Sequence, residues 1–163
     1  MDLVTYSGII EKTAVYPKQV DNFDIAYCYL GIMDESFEFN EAYELGNIKA
    51  MKKEAGDVLW YLTALANFFK IDIRKVFVKK EMSIDGEYKI HSKFPGLVKK
   101  YYRDEKEIPI EIVEVFINAN FNSVVEGFND DEILEILQMN YDKLIKRRET
   151  NTLHGDGDNR EEI

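Results

Sequence analysis

The sequence predicts an all-α fold, and three observations carry that expectation. Apolar residues recur at steps of three and four, as amphipathic helices require. Met51, Ala55, Val58, Leu62, Leu65 and Phe69 form one such stripe, and Leu134, Leu137, Tyr141 and Leu144 form another. The periodic stretches end at residues that stop helices, among them Tyr16-Pro17 and Gly46-Asn47. Strand-like alternation is weak and confined to residues 82–91, where Asp85-Gly86 suits a two-residue turn, so any β-structure is one small hairpin.

Taken in order, residues 3–14 read as a short helix with Leu3, Tyr6, Ile10 and Ala14 on one side, ended by Tyr16-Pro17. A second helix starts at Asp21 or Asn22, either of which can cap it, and runs to about Leu45. Phe23, Ala26, Leu30, Met33 and Phe37 give its main stripe, while Ile32 and Phe39 point elsewhere, so it should pack against several neighbours, a second subunit among them. The third helix spans about Ile48 to Phe69, with Gly56 inside it. Glycine costs about 1 kcal/mol against alanine there, which either a close neighbour or a plain propensity defect would explain. Asp72 caps a short helix through Phe77, and Phe94-Pro95-Gly96 reads as a break after the hairpin. Lys99, Lys100 and Arg103 beside Tyr101 and Tyr102 could meet a phosphate or a base, but the favoured reading is an ordinary snorkelling surface. Pro109 suits the first residue of a helix to about Gly127, with Glu111 and Glu114 on its surface. A last helix follows Asn129-Asp130 and runs to about Arg148. Residues 1–150 make one domain. The Gly/Asp-rich remainder, 151–163, cannot build a core and should be a flexible tail in which His154 is no ligand.

Bulk properties exclude several function classes. A 163-residue chain with 45% hydrophobic residues can bury a real core and is not disordered by composition. A formal net charge of −10 argues against nucleic-acid binding, which needs a basic footprint. Cys28 is the only cysteine, so an intrachain disulfide and a cysteine-built zinc site are excluded. The opening MDLVTYSGII has no signal-peptide pattern and no apolar run approaches a membrane span, so the expectation is a soluble cytoplasmic protein. There is no Gly-rich phosphate loop with a following lysine, no GxSxG and no histidine pair at zinc spacing.

Chemistry concentrates in residues 30–69. Glu35/Glu38 and Glu54/Asp57 are each spaced i, i+3, which puts both members of a pair on one helix face. Two helices folded back on each other would gather four carboxylates. Like charges about 4 Å apart repel by roughly 4 kcal/mol at an effective dielectric near 20, so a hard cation such as Mg²⁺ is needed to hold them. Glu54, Asp57 and Tyr61 flank the apolar stripe of the third helix, where carboxylates are partly dehydrated and must be paired or liganded. Against that stands the ordinary reading of an ExxE as a charged helix surface; two pairs joined by a short link bring the two readings level. Asn140, Lys143 and Arg147 flank the seam of the last helix at a similar offset, so this cationic and amide flank can face the same cleft.

These residues resemble the MazG-like nucleoside triphosphate pyrophosphohydrolases. The family pattern is EExxE, a spacer and ExxD; here it reads Asp34-Glu35-x-x-Glu38, fifteen residues, then Glu54-Ala55-Gly56-Asp57. DVLWYLTALANFFKIDI, NYDKLIKRRETNTLHGDGDNR and TAVYP are similar to further stretches of one branch. The likeness covers roughly 4–78 and 138–160; residues 79–135 have no counterpart and read as an insertion. Asp34 and Phe37 depart from the usual pattern, Phe37 standing where glycine is common, so a bulky ring could reshape the entrance to the site.

The resemblance implies an all-α MazG-like bundle, a homodimer or pair of dimers, that uses Mg²⁺ (Mn²⁺ as a substitute). It implies hydrolysis of a (deoxy)nucleoside triphosphate to the monophosphate and pyrophosphate. Glu35, Glu38, Glu54 and Asp57 would be the metal ligands, and Glu38 the group that takes the proton of water. Asn140, Lys143 and Arg147 would hold phosphates, and Tyr61 or Trp60 would stack on a base, core packing being the favoured reading of Trp60. Two other readings stand beside it: an inactive helical dimer whose insertion binds a protein, and a narrower dUTP or dCTP pyrophosphatase.

Overall fold

A computed structural model describes residues 1–14, 24–80 and 83–150. The described residues form seven helices and no strand: α1 (Leu3–Thr13), α2 (Asp24–Glu44), α3 (Ile48–Phe68), α4 (Ile73–Val76), α5 (Ile84–Asp104), α6 (Ile110–Val125) and α7 (Asp130–Glu149). The expected stop at Tyr16-Pro17, the caps at Asp21 and Asn22, and the tail with His154 lie outside the described residues.

α3 is the axis of the bundle, since α1, α2, α6 and α7 all pack on it. Its stripe explains this, with Met51, Ala55, Val58, Leu62 and Leu65 buried as expected. Leu59, Ala64 and Ala66 are buried too, so the helix is apolar around most of its girth and needs neighbours on several sides. Asn47 caps it by accepting from the Ala50 amide, and Gly46, at φ +64°, makes the tight link back to α2. Gly56 has a packing reason: a Cβ there would sit 3.2 Å from Cβ of Asn140 on α7.

Two expectations about faces are corrected. On α2 the buried line is Ile25, Cys28, Ile32, Phe39 and Ala42, whereas Leu30 and Phe37 of the expected stripe are 57% and 68% exposed. The steps of three and four place Glu35 on the buried line itself, between Ile32 and Phe39. Phe37 lies about 200° round the helix from Glu35, so its ring is not on the acid-bearing face. On α7 the buried residues are Ile136, Leu137, Asn140 and Leu144, and Leu134 is exposed. The seam is turned so that Asn140 faces inward, where two polar partners await it.

The expected hairpin at 82–91 is a helix, and Phe94-Pro95-Gly96 does not break it. Ser83 caps α5 by accepting from the Gly86 amide at 3.1 Å, so the Asp85-Gly86 pair falls in a first helical turn instead of a β-turn. Asp85 and Glu87 complement the macrodipole there, and Lys89 reaches Asp85 at i, i+4. Ile90, Phe94 and Val98 recur every four residues and are all buried, which is the helical signal that outweighs the DG pair. Pro95 forfeits one backbone bond inside the helix, and the packing of Phe94 offsets that loss.

α6 begins one residue after Pro109, which stands at the cap position. It buries Val113, Phe116, Ile117, Phe121, Val124 and Val125 and packs on α3, α4 and α5. The segment expected as an insertion therefore supplies part of the common core. The basic and aromatic cluster at 99–103 is surface, as expected: Lys99 and Lys100 are exposed, Arg103 pairs with Asp104, and the Tyr102 hydroxyl accepts from the Ala26 amide.

Candidate metal centre

α2 and α3, joined by three residues, bring the two acidic motifs face to face. One carboxylate oxygen each of Glu35, Glu38 and Glu54 lies within 4.8 Å of the others. Gly31 makes the approach possible. A Cβ there would fall 2.2 Å from the Tyr61 ring, so only glycine lets Tyr61 lie against α2 one turn before Glu35. The three acids are graded in exposure: Glu38 is exposed, Glu35 half-buried, and Glu54 only 7% exposed.

Dehydration shows in the protonation of Glu35 and Glu54. Burial pushes the Glu35 carboxyl up to about 8, and the nearby charges of Asp57, Glu38 and Glu54 push the same way against Lys143. Burial also raises Glu54, opposed by a hydrogen bond and charge from Lys53, which reaches Oε1 at 2.8 Å. Oε2 of Glu54 is buried and accepts no hydrogen bond among the described residues. A buried carboxylate oxygen without a donor costs free energy that a cation would recover. The donor set is all oxygen, which suits Mg²⁺ or Mn²⁺ and not a thiophilic metal.

Asp57 stands apart from this trio. Its Oδ1 accepts from Asn140 Nδ2 at 2.9 Å and from the Lys143 ammonium. Asn140 is only 4% exposed, and its Oδ1 accepts from the buried Tyr6 hydroxyl at 2.9 Å. The expected acid and amide–cation flanks thus meet, with Asp57 as their point of contact. Asp57 remains within electrostatic reach of Glu35, Glu54 and Tyr61. Arg147 is half-buried one turn beyond Lys143. Tyr61 is held well above its ordinary range, first by burial, then by Tyr27, then by Glu35 and Asp57, so its hydroxyl stays neutral beside the acids. Trp60 packs edge-on against Tyr61, centroids 4.6 Å apart, and is half-buried against the core.

Residues 26–83 match the family model of the MazG nucleotide pyrophosphohydrolase domain. The match takes in α2, α3 and α4 and stops at Ser83, the cap of α5. All four acids fall within the MazG segment, while Tyr6, Asn140, Lys143 and Arg147 come from outside it. No curated protein and no solved structure matches the chain. Among the described residues, no helix is long and apolar enough to cross a membrane.

Sequence reasoning passed over Tyr6, Gly31 and Lys53. Tyr6 looked like core because only its ring contributes to the apolar stripe of α1. Gly31 did carry a signal, since a glycine inside a predicted helix asks for a packing reason. Lys53 had none, because it adjoins Glu54 in the chain and not at helical spacing.

Proposed function

We propose that this protein is a Mg²⁺-dependent nucleoside triphosphate pyrophosphohydrolase that converts a (deoxy)nucleoside triphosphate and water into the monophosphate and pyrophosphate. The observation that carries the reading is the buried, donorless Oε2 of Glu54 within the trio of Glu35, Glu38 and Glu54, in a segment of the MazG family. Those three carboxylates would hold the cation, with Asp57 beside them. When bound, Mg²⁺ supplies charge cancellation on the phosphates and acidifies a coordinated water.

The chain's own groups do the rest. Glu38, the most exposed of the three, accepts the proton of the attacking water. Lys143 has donors left after its bond to Asp57, and these meet the phosphate chain together with Arg147 and the second amide hydrogen of Asn140. The neutral Tyr61 hydroxyl and ring border the nucleoside end. A second copy of the chain covers the outward stripe of Leu30 and Phe37 on α2, giving the homodimer or pair of dimers expected from the sequence.

A panel of nucleotides that includes dUTP and dCTP, read by pyrophosphate release with Mg²⁺, tests the activity and sorts a broad from a narrow substrate range. Glu38→Gln or Asp57→Asn should lower turnover by about a hundredfold or more without loss of fold. Full activity in both variants overturns the assignment. An inactive protein-binding module would take up no Mg²⁺ in a calorimetric titration.

A further inference from the structure

We propose that Tyr6, on α1 and outside the MazG segment, is a positioning residue for the acidic site. Its hydroxyl fixes the orientation of the Asn140 amide, and that amide fixes Asp57. The role in turnover rests on the activity proposed above; the hydrogen-bond relay itself does not.

An asparagine amide can seat two ways, exchanging oxygen and nitrogen, and its neighbours decide which. Here the Tyr6 hydroxyl donates to Oδ1, which leaves Nδ2 to donate to Asp57 Oδ1. The reversed amide would set its oxygen against the Asp57 carboxylate, acceptor against acceptor. Tyr6 is fully buried and its hydroxyl makes no other hydrogen bond among the described residues, so the hydroxyl is committed to this one task. Burial, and then the Asp57 charge, hold its proton in place. Asn140 cannot drift, because Gly56 lets it pack directly on the α3 backbone. Both bonds to Asp57, from Asn140 and Lys143, fall on Oδ1, and Oδ2 accepts from no described residue. The relay therefore loads one oxygen of Asp57 and leaves the other for the site. Partners that orient ligands in this way govern metal affinity from a distance.

The test compares wild type, Tyr6→Phe, and Ile10→Val as a packing control on the same helix. Three quantities are read: solvent exchange of the Asn140 side-chain amide by ¹⁵N NMR, Mg²⁺ affinity by calorimetry, and the kcat and KM of pyrophosphate release. Tyr6→Phe should speed exchange several-fold, weaken Mg²⁺ by about tenfold and lower kcat more than it changes KM. Ile10→Val should lower the melting temperature and change none of these. The proposal is overturned if the Asn140 amide and the Mg²⁺ titration of Tyr6→Phe match wild type, or if Ile10→Val reproduces its changes. Should wild type itself bind no Mg²⁺ and release no pyrophosphate, the activity falls instead. The amide exchange then decides the relay alone: faster exchange in Tyr6→Phe supports it, and unchanged exchange overturns it.

Discussion

Two pairs of consecutive helices, α2 with α3 and α5 with α6, treat burial in opposite ways. In α5 and α6 the buried groups are content. Phe94 and Phe116 stack with centroids 3.8 Å apart and planes within 4°, Tyr29 of α2 packs on both, and the buried Asn120 amide donates to the Phe116 carbonyl. In α2 and α3 burial instead raises the carboxyls of Glu35 and Glu54 and leaves one oxygen of Glu54 with no donor among the described residues. The first pair is a stability element in which, among the described residues, no fully buried side-chain polar atom lacks a partner. The second leaves part of its stabilisation to be supplied by something bound, which is how a site differs from a core.

The contrast can be pressed from its largest expected effect to its smallest. Glu54→Gln should lower pyrophosphate release by about a hundredfold or more while the metal-free melting temperature holds or rises, since a buried charge is removed. Phe116→Ala should do the reverse. It should cost about 3–5 kcal/mol in denaturant unfolding, with activity per folded molecule retained. A variant of either kind that loses both properties equally would erase the distinction between the two pairs.

Next comes Gly31→Ala, which forces Tyr61 off α2 and should cost about 1–3 kcal/mol by thermal or urea unfolding. No destabilisation would mean that the two helices are not held as closely as Tyr61 and Gly31 require. A pH effect follows from Glu35. Its folded value of about 8 lies above the ordinary 4.5, so without metal the fold binds this proton more tightly than the unfolded chain does. That contribution is complete below pH about 4.5 and is lost as pH rises to about 8. Metal-free melting temperature should accordingly fall by several degrees across this window, and saturating Mg²⁺ should flatten the curve by compensating the charge. A metal-free profile already flat there would count against a dehydrated Glu35. Smallest is Gly96→Ala, which has open space for its methyl group inside α5 and should gain about 0.5–1 kcal/mol. A loss instead would favour a chain break at Phe94-Pro95-Gly96.

The acid motifs were readable because i, i+3 spacing is a local property of a helix, and so was the α3 stripe. Asn129 with Glu132 shows the same kind of legibility: a reciprocal capping box starts α7 where Asn129-Asp130 marked it. The α5 helix was misread because Asp85-Gly86 is a strong two-residue signal, whereas Ser83 at the cap and the run Ile90, Phe94, Val98 need a longer window. On α2 the sequence offered two apolar lines, and hydrophobicity alone could not rank them. Gly31 and the acids decided which one turns inward.

By itself, the sequence determined that the chain is helical, where most helices start and stop, and that Glu35, Glu38, Glu54 and Asp57 form two one-sided pairs. Those properties depend on residues a few positions apart. Only the tertiary structure decided that Glu54 is buried with one oxygen lacking a donor, that Asp57 is held by Asn140 and Lys143, and that Tyr6 stands behind Asn140. Residues 134 positions apart meet there, and no local pattern records such a meeting, because burial is conferred by what the rest of the chain packs against.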